Sequence, residues 1–181
     1  MARLSTGARV IPRLTKDGLL PRGRHAATMA ELEACFVFGA PHPAERDLLW
    51  RAAATHMRVA RQTLGPVTAW VDGGFVTHKA IAPKDVDVVY VLPGAQLDTA
   101  FVADAPRVLA LLTLKDMIIG QPSAGWLDRL QPVGGLVDAF VAVEESAQQL
   151  SYWDGLWSSV KDHDGNIVDG AIKGYVEVRL P

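Results

Sequence analysis

The chain predicts an α+β fold, a mixed β-sheet with helices packed mainly against one face. Three observations carry this. Apolar residues recur at helical spacing through residues 44–64. Short apolar runs at 67–71, 86–92 and 136–143 are bounded by Gly or Pro, as strands are. The resulting order is helix, helix, strand, strand, helix, strand, helix, strand, which is not a strict alternation of strand and helix and fits helices gathered on one side of a mixed sheet.

Each element follows from local chemistry. Residues 1–27 are rich in Arg, Pro and Gly and predict an extended basic N-terminal arm, since the first 24 residues carry six Lys or Arg and one acid. Thr28-Met29-Ala30-Glu31 is a capping box, so a short helix should follow and end near Gly39. Pro43 suits a first helical turn, and the helix over 44–64 is stopped by Gly65-Pro66. Its inward stripe contains Leu48, Leu49, Ala52, Ala53, His56, Val59, Ala60 and Thr63, with His56 expected as a satisfied core histidine. The strand at 67–71 ends at Gly73-Gly74, and the strand at 86–92 ends at Pro93-Gly94. A helix is predicted over 106–119, a strand over 136–143, and a helix over 144–161 with Leu150, Trp153 and Trp157 near one face as core anchors. Asp164-Gly165-Asn166 marks a turn, and 172–180 a closing strand. Residues 28–181 read as a single domain.

Composition excludes several classes. With 181 residues, 49% hydrophobic and 21% charged, the chain can bury a core and is not disordered. A formal charge of −2 makes no global case for nucleic-acid binding. Cys35, the single cysteine, allows neither an intramolecular disulfide nor a cysteine metal cluster. No apolar run reaches the roughly 20 residues that span a bilayer, and the basic N-terminus lacks the apolar stretch of a signal peptide. The expectation is a cytoplasmic protein with no membrane partner.

The chemistry concentrates between Trp70 and Val89. A strand runs into Gly73-Gly74, and a second strand then opens with Asp85-Val86-Asp87. Residues two apart on a strand point to the same face about 6–7 Å apart. Asp85 and Asp87 would repel one another unless a cation lay between them, and Mg²⁺ or Mn²⁺ suits two carboxylates with phosphate oxygens completing the shell. Glycines let backbone N–H groups approach a phosphate, and a short helix starting near Phe75 would add its dipole. Asp138 is the one acid in an apolar strand, where an unpaired charge is costly, and is the candidate third carboxylate from a neighbouring strand. Thr77 and Lys79 are candidate triphosphate contacts, as a hydroxyl donor and a point charge. Asp72 is read as a cap for the turn, and His78 as a loop residue. Asp162, Asp164 and Asn166 imitate the start of a calcium loop, but Ile167 and Lys173 stand where that loop needs Gly and Glu.

The strand, the Gly-Gly turn and the spaced Asp-x-Asp resemble the core motif of the polymerase-beta-type nucleotidyltransferase superfamily. Leu20-Pro21-x-Gly23-x-His25-x-Ala27-Thr28, Gly73-Gly74-Phe75-Val76-Thr77-x-Lys79, Pro83-x-Asp85-Val86-Asp87 and Lys173-Gly174-Tyr175-Val176-Glu177-Val178 are similar to small nucleotidyltransferase-like proteins of bacteria and phages. The resemblance covers residues 20–180. It implies a minimal nucleotidyltransferase fold and metal-dependent transfer of a nucleoside monophosphate from a nucleoside triphosphate. Asp85, Asp87 and Asp138 would be the catalytic metal ligands, and Gly73 and Gly74 the phosphate-binding turn. The acceptor would be RNA, a protein or a small molecule, with a partner protein or a second copy completing the site. A role in toxin–antitoxin or phage–host conflict follows by analogy only. One residue departs from the pattern: the second turn position is often Ser, and Gly74 offers no hydroxyl. The alternative is a non-catalytic descendant serving as a binding or regulatory module.

Overall fold

A computed structural model describes residues 11–119, 125–162 and 166–181. In chain order its elements begin with β1 (Gly23–Ala26), α1 (Met29–Glu33), α2 (Pro43–Leu64), β2 (Val67–Asp72), β3 (Val86–Leu92) and α3 (Gly94–Ala110). There follow β4 (Leu114–Ile119), β5 (Gly125–Leu130), the helical turn α4 (Pro132–Gly135), β6 (Val137–Val143), α5 (Ala147–Trp157), β7 (Ser159–Lys161), β8 (Ile167–Ile172) and β9 (Gly174–Leu180). The main sheet has the order β1-β9-β2-β3-β6, while β4-β5 and β7-β8 form separate two-stranded sheets. Within the main sheet β1 runs parallel to β9 and β3 parallel to β6, whereas β2 is antiparallel to both neighbours. The architecture is α+β with a mixed sheet.

The breakers act where the sequence places them. The Thr28 hydroxyl accepts from the Glu31 N–H at 3.2 Å, and the Glu31 carboxylate accepts from the Thr28 N–H at 2.7 Å, completing the capping box. A π-helical turn, Ala34–Phe38, carries α1 on to Gly39. In α2, Pro43 occupies the first turn, and Gly65 ends the helix at φ 82°, which favours glycine. Leu49, Trp50, Ala53, Met57, Ala60 and Leu64 form its buried stripe, whereas Leu48, expected there, is 57% exposed. His56 is satisfied as expected: its ring bonds the Tyr90 hydroxyl at 2.7 Å and the Leu111 carbonyl at 2.9 Å.

Alternation along the central strands gives the sheet two different faces. Val71 lies opposite Val88, and Val88 beside Ala139, all within the large core that α2 covers. On the other face Trp70 lies opposite Val89, and Val89 beside Phe140. There Trp70, Val89, Val91, Ala142, Trp157 and Tyr175 make a smaller cluster, with Leu150, Trp153 and Leu156 of α5 packed on it. The expected anchors of α5 therefore serve this second face.

Three further expectations differ from the structure. The helix predicted over 106–119 is instead α3, starting at Gly94 and broken at Asp104 (φ −160°, ψ 77°), whose carboxylate accepts from the Arg107 N–H at 3.0 Å. Pro106 thus opens only its second segment, because proline cannot continue an existing helix. Residues 114–119 are β4, and the Thr113 N–H just before them donates to the Ala139 carbonyl at 2.8 Å, drawing the chain towards β6. The helix predicted over 144–161 ends at Trp157; the expected closing strand over 172–180 is β9, preceded by a separate β8, and between them the Lys173 N–H donates to the Ser158 carbonyl at 2.9 Å. The Asp164-Gly165 turn lies outside the described residues; beside it the Asn166 N–H donates to Asp162 at 2.9 Å. Finally, the N-terminal stretch is not wholly a surface arm. Ile11 and Leu20 are buried, and β1 pairs with β9, because Leu20 finds apolar neighbours and β9 has an edge to offer. Residues 1–10 lie outside the described part. Among the described residues no helix is long and apolar enough to cross a membrane.

Candidate functional site

The ends of three neighbouring strands meet on the second face. Asp72 closes β2 directly opposite Asp87 of β3, and Asp87 lies beside Asp138 of β6, so three carboxylates form a row across the sheet. Asp85 precedes β3 by one residue, on the Asp87 side of the alternation. These four acids, with Gly73, Gly74, Thr77 and Lys79, line one cavity of about 410 Å³. The structure thus brings together every site residue expected from the sequence. Lys115, Arg129, Lys161 and Lys173 add four more cations to its wall.

The turn is built for close approach. Gly73 has φ 79° and lies against the Asp87 carboxylate, so that a methyl group there would collide with it. Gly74–Val76 is one 3-10 turn rather than the start of a longer helix, so any anion contact here rests on individual N–H groups and not on a helix dipole. The turn is held from below by Arg46 of α2, which is fully buried. Its guanidinium donates to the carbonyls of Pro41 (2.7 Å), Phe36 (3.0 Å), Phe75 (2.6 Å) and Thr77 (2.7 Å). The Thr77 hydroxyl donates to the Gly74 carbonyl at 2.8 Å, closing the turn. Lys79 reaches across to the Lys161 carbonyl at 3.0 Å, tying the turn to β7. His78, expected as a loop residue, bonds the Cys35 carbonyl at 2.9 Å.

The four carboxylates are not equivalent. Asp72, expected to cap the turn, is buried in an ion pair with Lys173, whose ammonium also donates to the Trp157 carbonyl at 3.0 Å. Burial pushes the Asp72 carboxyl up, against the pull of Lys173 and of the Gly73 N–H. Asp138 pairs with Arg129 through one oxygen and accepts from the Thr113 hydroxyl at 2.5 Å through the other. Asp85 accepts one bond, from the Gln131 amide at 3.3 Å. Asp87 makes no ion pair among the described residues; burial first, then Asp85 and Asp72, push its carboxyl up to about 7. Asp85 and Asp87, the pair that Asp-x-Asp spacing singles out, are thus the two of these four carboxylates without an ion pair among the described residues.

That donor set fits a hard divalent cation, which favours carboxylate oxygens. Among the described residues no group of three or more His, Cys, Asp or Glu side chains stands ready-made around one point. Asp138 is committed to Arg129 and Asp72 to Lys173. The sequence did not single out Arg46, Arg129, Lys115, Lys161 or Thr113, and Lys173 entered through the rejected calcium loop and the resemblance, not as a partner of Asp72. A larger cleft of about 520 Å³ lies between residues 11–14 and the turn after α1. Its polar lining is Arg13, Cys35, Glu31, which serves the capping box, and His78, which bonds the Cys35 carbonyl, so it gathers no row of carboxylates.

The chain belongs to a family of unknown function, DUF6932, whose profile matches residues 12–179. No curated protein and no solved structure matches the chain.

Proposed function

We propose that this protein is a metal-dependent nucleotidyltransferase, moving a nucleoside monophosphate from a nucleoside triphosphate to a hydroxyl of an RNA, protein or small-molecule acceptor. The observation that carries this is the pair Asp85 and Asp87, which make no ion pair among the described residues, set against the Gly73-Gly74 turn in one cavity lined by lysine and arginine. Carboxylates facing a glycine turn amid cations suit a ligand that is itself a complex of divalent metal and phosphate. Asp85 and Asp87 would hold Mg²⁺ or Mn²⁺, with Asp138 joining once it leaves Arg129. The metal would activate the attacking oxygen and stabilise the leaving one.

The chain's own groups divide the remaining work. The N–H groups around Gly73 and Gly74 would receive a phosphate, kept in place by the Arg46 clamp beneath them. Lys79, Lys115, Arg129 and Lys161 supply positive charge for the triphosphate. The acceptor oxygen forms a bond to the α-phosphorus as the bridging bond to the β-phosphate breaks and pyrophosphate leaves. The hydroxyl proton passes to a carboxylate, for which Asp138 is suited once unpaired.

One observation favours a non-catalytic role. Both oxygens of Asp138 are engaged by protein donors, as in a site frozen for binding. Incubation with Mg²⁺, each α-labelled nucleoside triphosphate, and RNA or lysate separates the two. Label should appear in an acceptor with wild type and be lost in the Asp85→Asn/Asp87→Asn double variant. Transfer that persists in the double variant removes those residues from the chemistry; nucleotide binding without transfer favours the binding module.

A further inference from the structure

The cavity has two chemically different ends. Beyond the carboxylates its wall is formed by Phe140 of β6 and by Tyr152 and Trp153 of α5. Phe140 follows Asp138 by two residues on the same face, with its Cα about 6–7 Å further along the strand. The Trp153 ring lies 4.8 Å from Phe140 at 37°, and Tyr152 stands edge-on to Trp153 at 5.2 Å.

These three rings differ from the aromatics beneath them. Trp70, Trp157 and Tyr175 are buried and form the floor of the second core. Phe140 and Trp153 are only half-buried, and Tyr152 is 62% exposed. The Tyr175 hydroxyl bonds Asp154 at 2.8 Å, and the Trp70 indole bonds Glu177 at 3.2 Å. Among the described residues neither the Trp153 indole nor the Tyr152 hydroxyl has a hydrogen-bond partner. A large aromatic surface that stays wet, beside a charged phosphate-type site and with its polar edges unspent, is poorly explained by packing alone.

We propose that Phe140, Tyr152 and Trp153 form the subsite that stacks the base of the incoming nucleoside triphosphate. This rests on the nucleotide reading above and extends it to how the base is held. Every base offers a π-face, so a stacking shelf discriminates weakly among the four. The site is therefore tolerant of base identity, with affinity for the donor drawn from the shelf and its orientation from the turn.

Calorimetric titration with Mg²⁺ present tests this, using ATP, GTP, CTP, UTP and tripolyphosphate, which has the phosphates but no base. Wild type should bind the four nucleotides within a few-fold of one another and tripolyphosphate more weakly. Trp153→Ala and the exposed Tyr152→Ala should weaken every nucleotide about 5- to 100-fold, the range of a lost stack, and leave tripolyphosphate unchanged. Trp153→Phe, which keeps a π-face, should recover most of the loss. Equal loss of nucleotide and tripolyphosphate binding in Tyr152→Ala, or no loss in either variant, overturns the shelf while leaving the nucleotide reading intact. So does weakening confined to an RNA oligonucleotide, which would assign the rings to an acceptor. If wild type binds neither ATP nor tripolyphosphate, the nucleotide reading itself falls, and the shelf with it.

Discussion

Val71, Val88 and Ala139 sit next in sequence to Asp72, Asp87 and Asp138, on the same three strands, yet the two sets face opposite sides of the sheet. The first set is fully buried beneath the helices. The second forms a row of carboxylates in a cavity, where Asp72 is held by Lys173 and Asp138 by Arg129 while Asp87 has no ion pair among the described residues. The helix-covered face can be satisfied by any well-packed apolar set. The other face must keep charges close together and partly dehydrated, which costs stability unless each is paired. The contrast teaches that one period-two pattern can carry a core on one side and a row of charges on the other, with one residue as the difference.

Arg46 is where the division breaks down, because it rises from the helix layer and holds the turn that serves the other face. Arg46→Met removes one buried guanidinium and strands four carbonyls. It should cost about 3–5 kcal/mol, the scale of breaking a buried charged network. Chemical denaturation gives that number. If the turn depends on this clamp, a sub-denaturing assay should also show Mg²⁺-dependent nucleotide binding falling more than the unfolded fraction explains. A loss of stability with nucleotide binding intact in the folded fraction would make Arg46 a core residue only.

Asp87 offers a smaller and oppositely signed test. Its carboxyl is pushed up to about 7 from the ordinary value near 3.8, so the folded protein binds a proton more tightly than the unfolded chain does. The stabilisation from that proton is complete below about pH 4 and is lost as pH rises through about 7. Asp87→Asn cannot ionise. In metal-free buffer it should therefore gain on wild type between pH 5 and pH 8 by about 1–4 kcal/mol. Mg²⁺ at pH 8 should restore wild type and leave the variant unmoved. Thermal unfolding at both pH values reads this, and a gap that does not change with pH would mean Asp87 is already paired in solution.

What the sequence made legible divides along the same line. Strands β2, β3 and β6 are readable because each is a short apolar run between Gly, Pro or Asp, and α2 because its stripe has clear stops. Asp138 stands out as an acid that an apolar strand must explain, and Asp85 and Asp87 by their spacing. The partners of those acids are not readable. Lys173 meets Asp72 across 101 positions of sequence, and Arg129 reaches Asp138 from a hairpin whose residues carry no distinct strand period. Both small hairpins resemble helix or part of a longer strand in sequence, since their pairing is only with each other. The turn role expected for Asp72 holds in part, since its carboxylate accepts from the Gly73 N–H, but its buried ion pair with Lys173 is not visible in sequence.

Arg129 gives the finest test of how the two faces differ. On the helix-covered face, trimming a packed side chain can only lower stability. Arg129 instead occupies a carboxylate that the proposed chemistry needs free; its own side chain is 41% exposed, while that of Asp138 is 6% exposed. Arg129→Ala should lower the unfolding midpoint in metal-free buffer, because Asp138 is left buried without its cation. It should tighten binding of Mn²⁺ alone, followed by paramagnetic resonance, by about two- to five-fold, the scale of a partly exposed ion pair. Binding of the nucleoside triphosphate in the presence of metal should weaken by a similar factor, because the same guanidinium would turn from Asp138 to the phosphates. Opposite changes in the two affinities mark a side chain that exchanges one anion for another. Parallel weakening would mean that Arg129 simply orders Asp138, and the carboxylate row would then depend on its pairs just as the valine face depends on its packing.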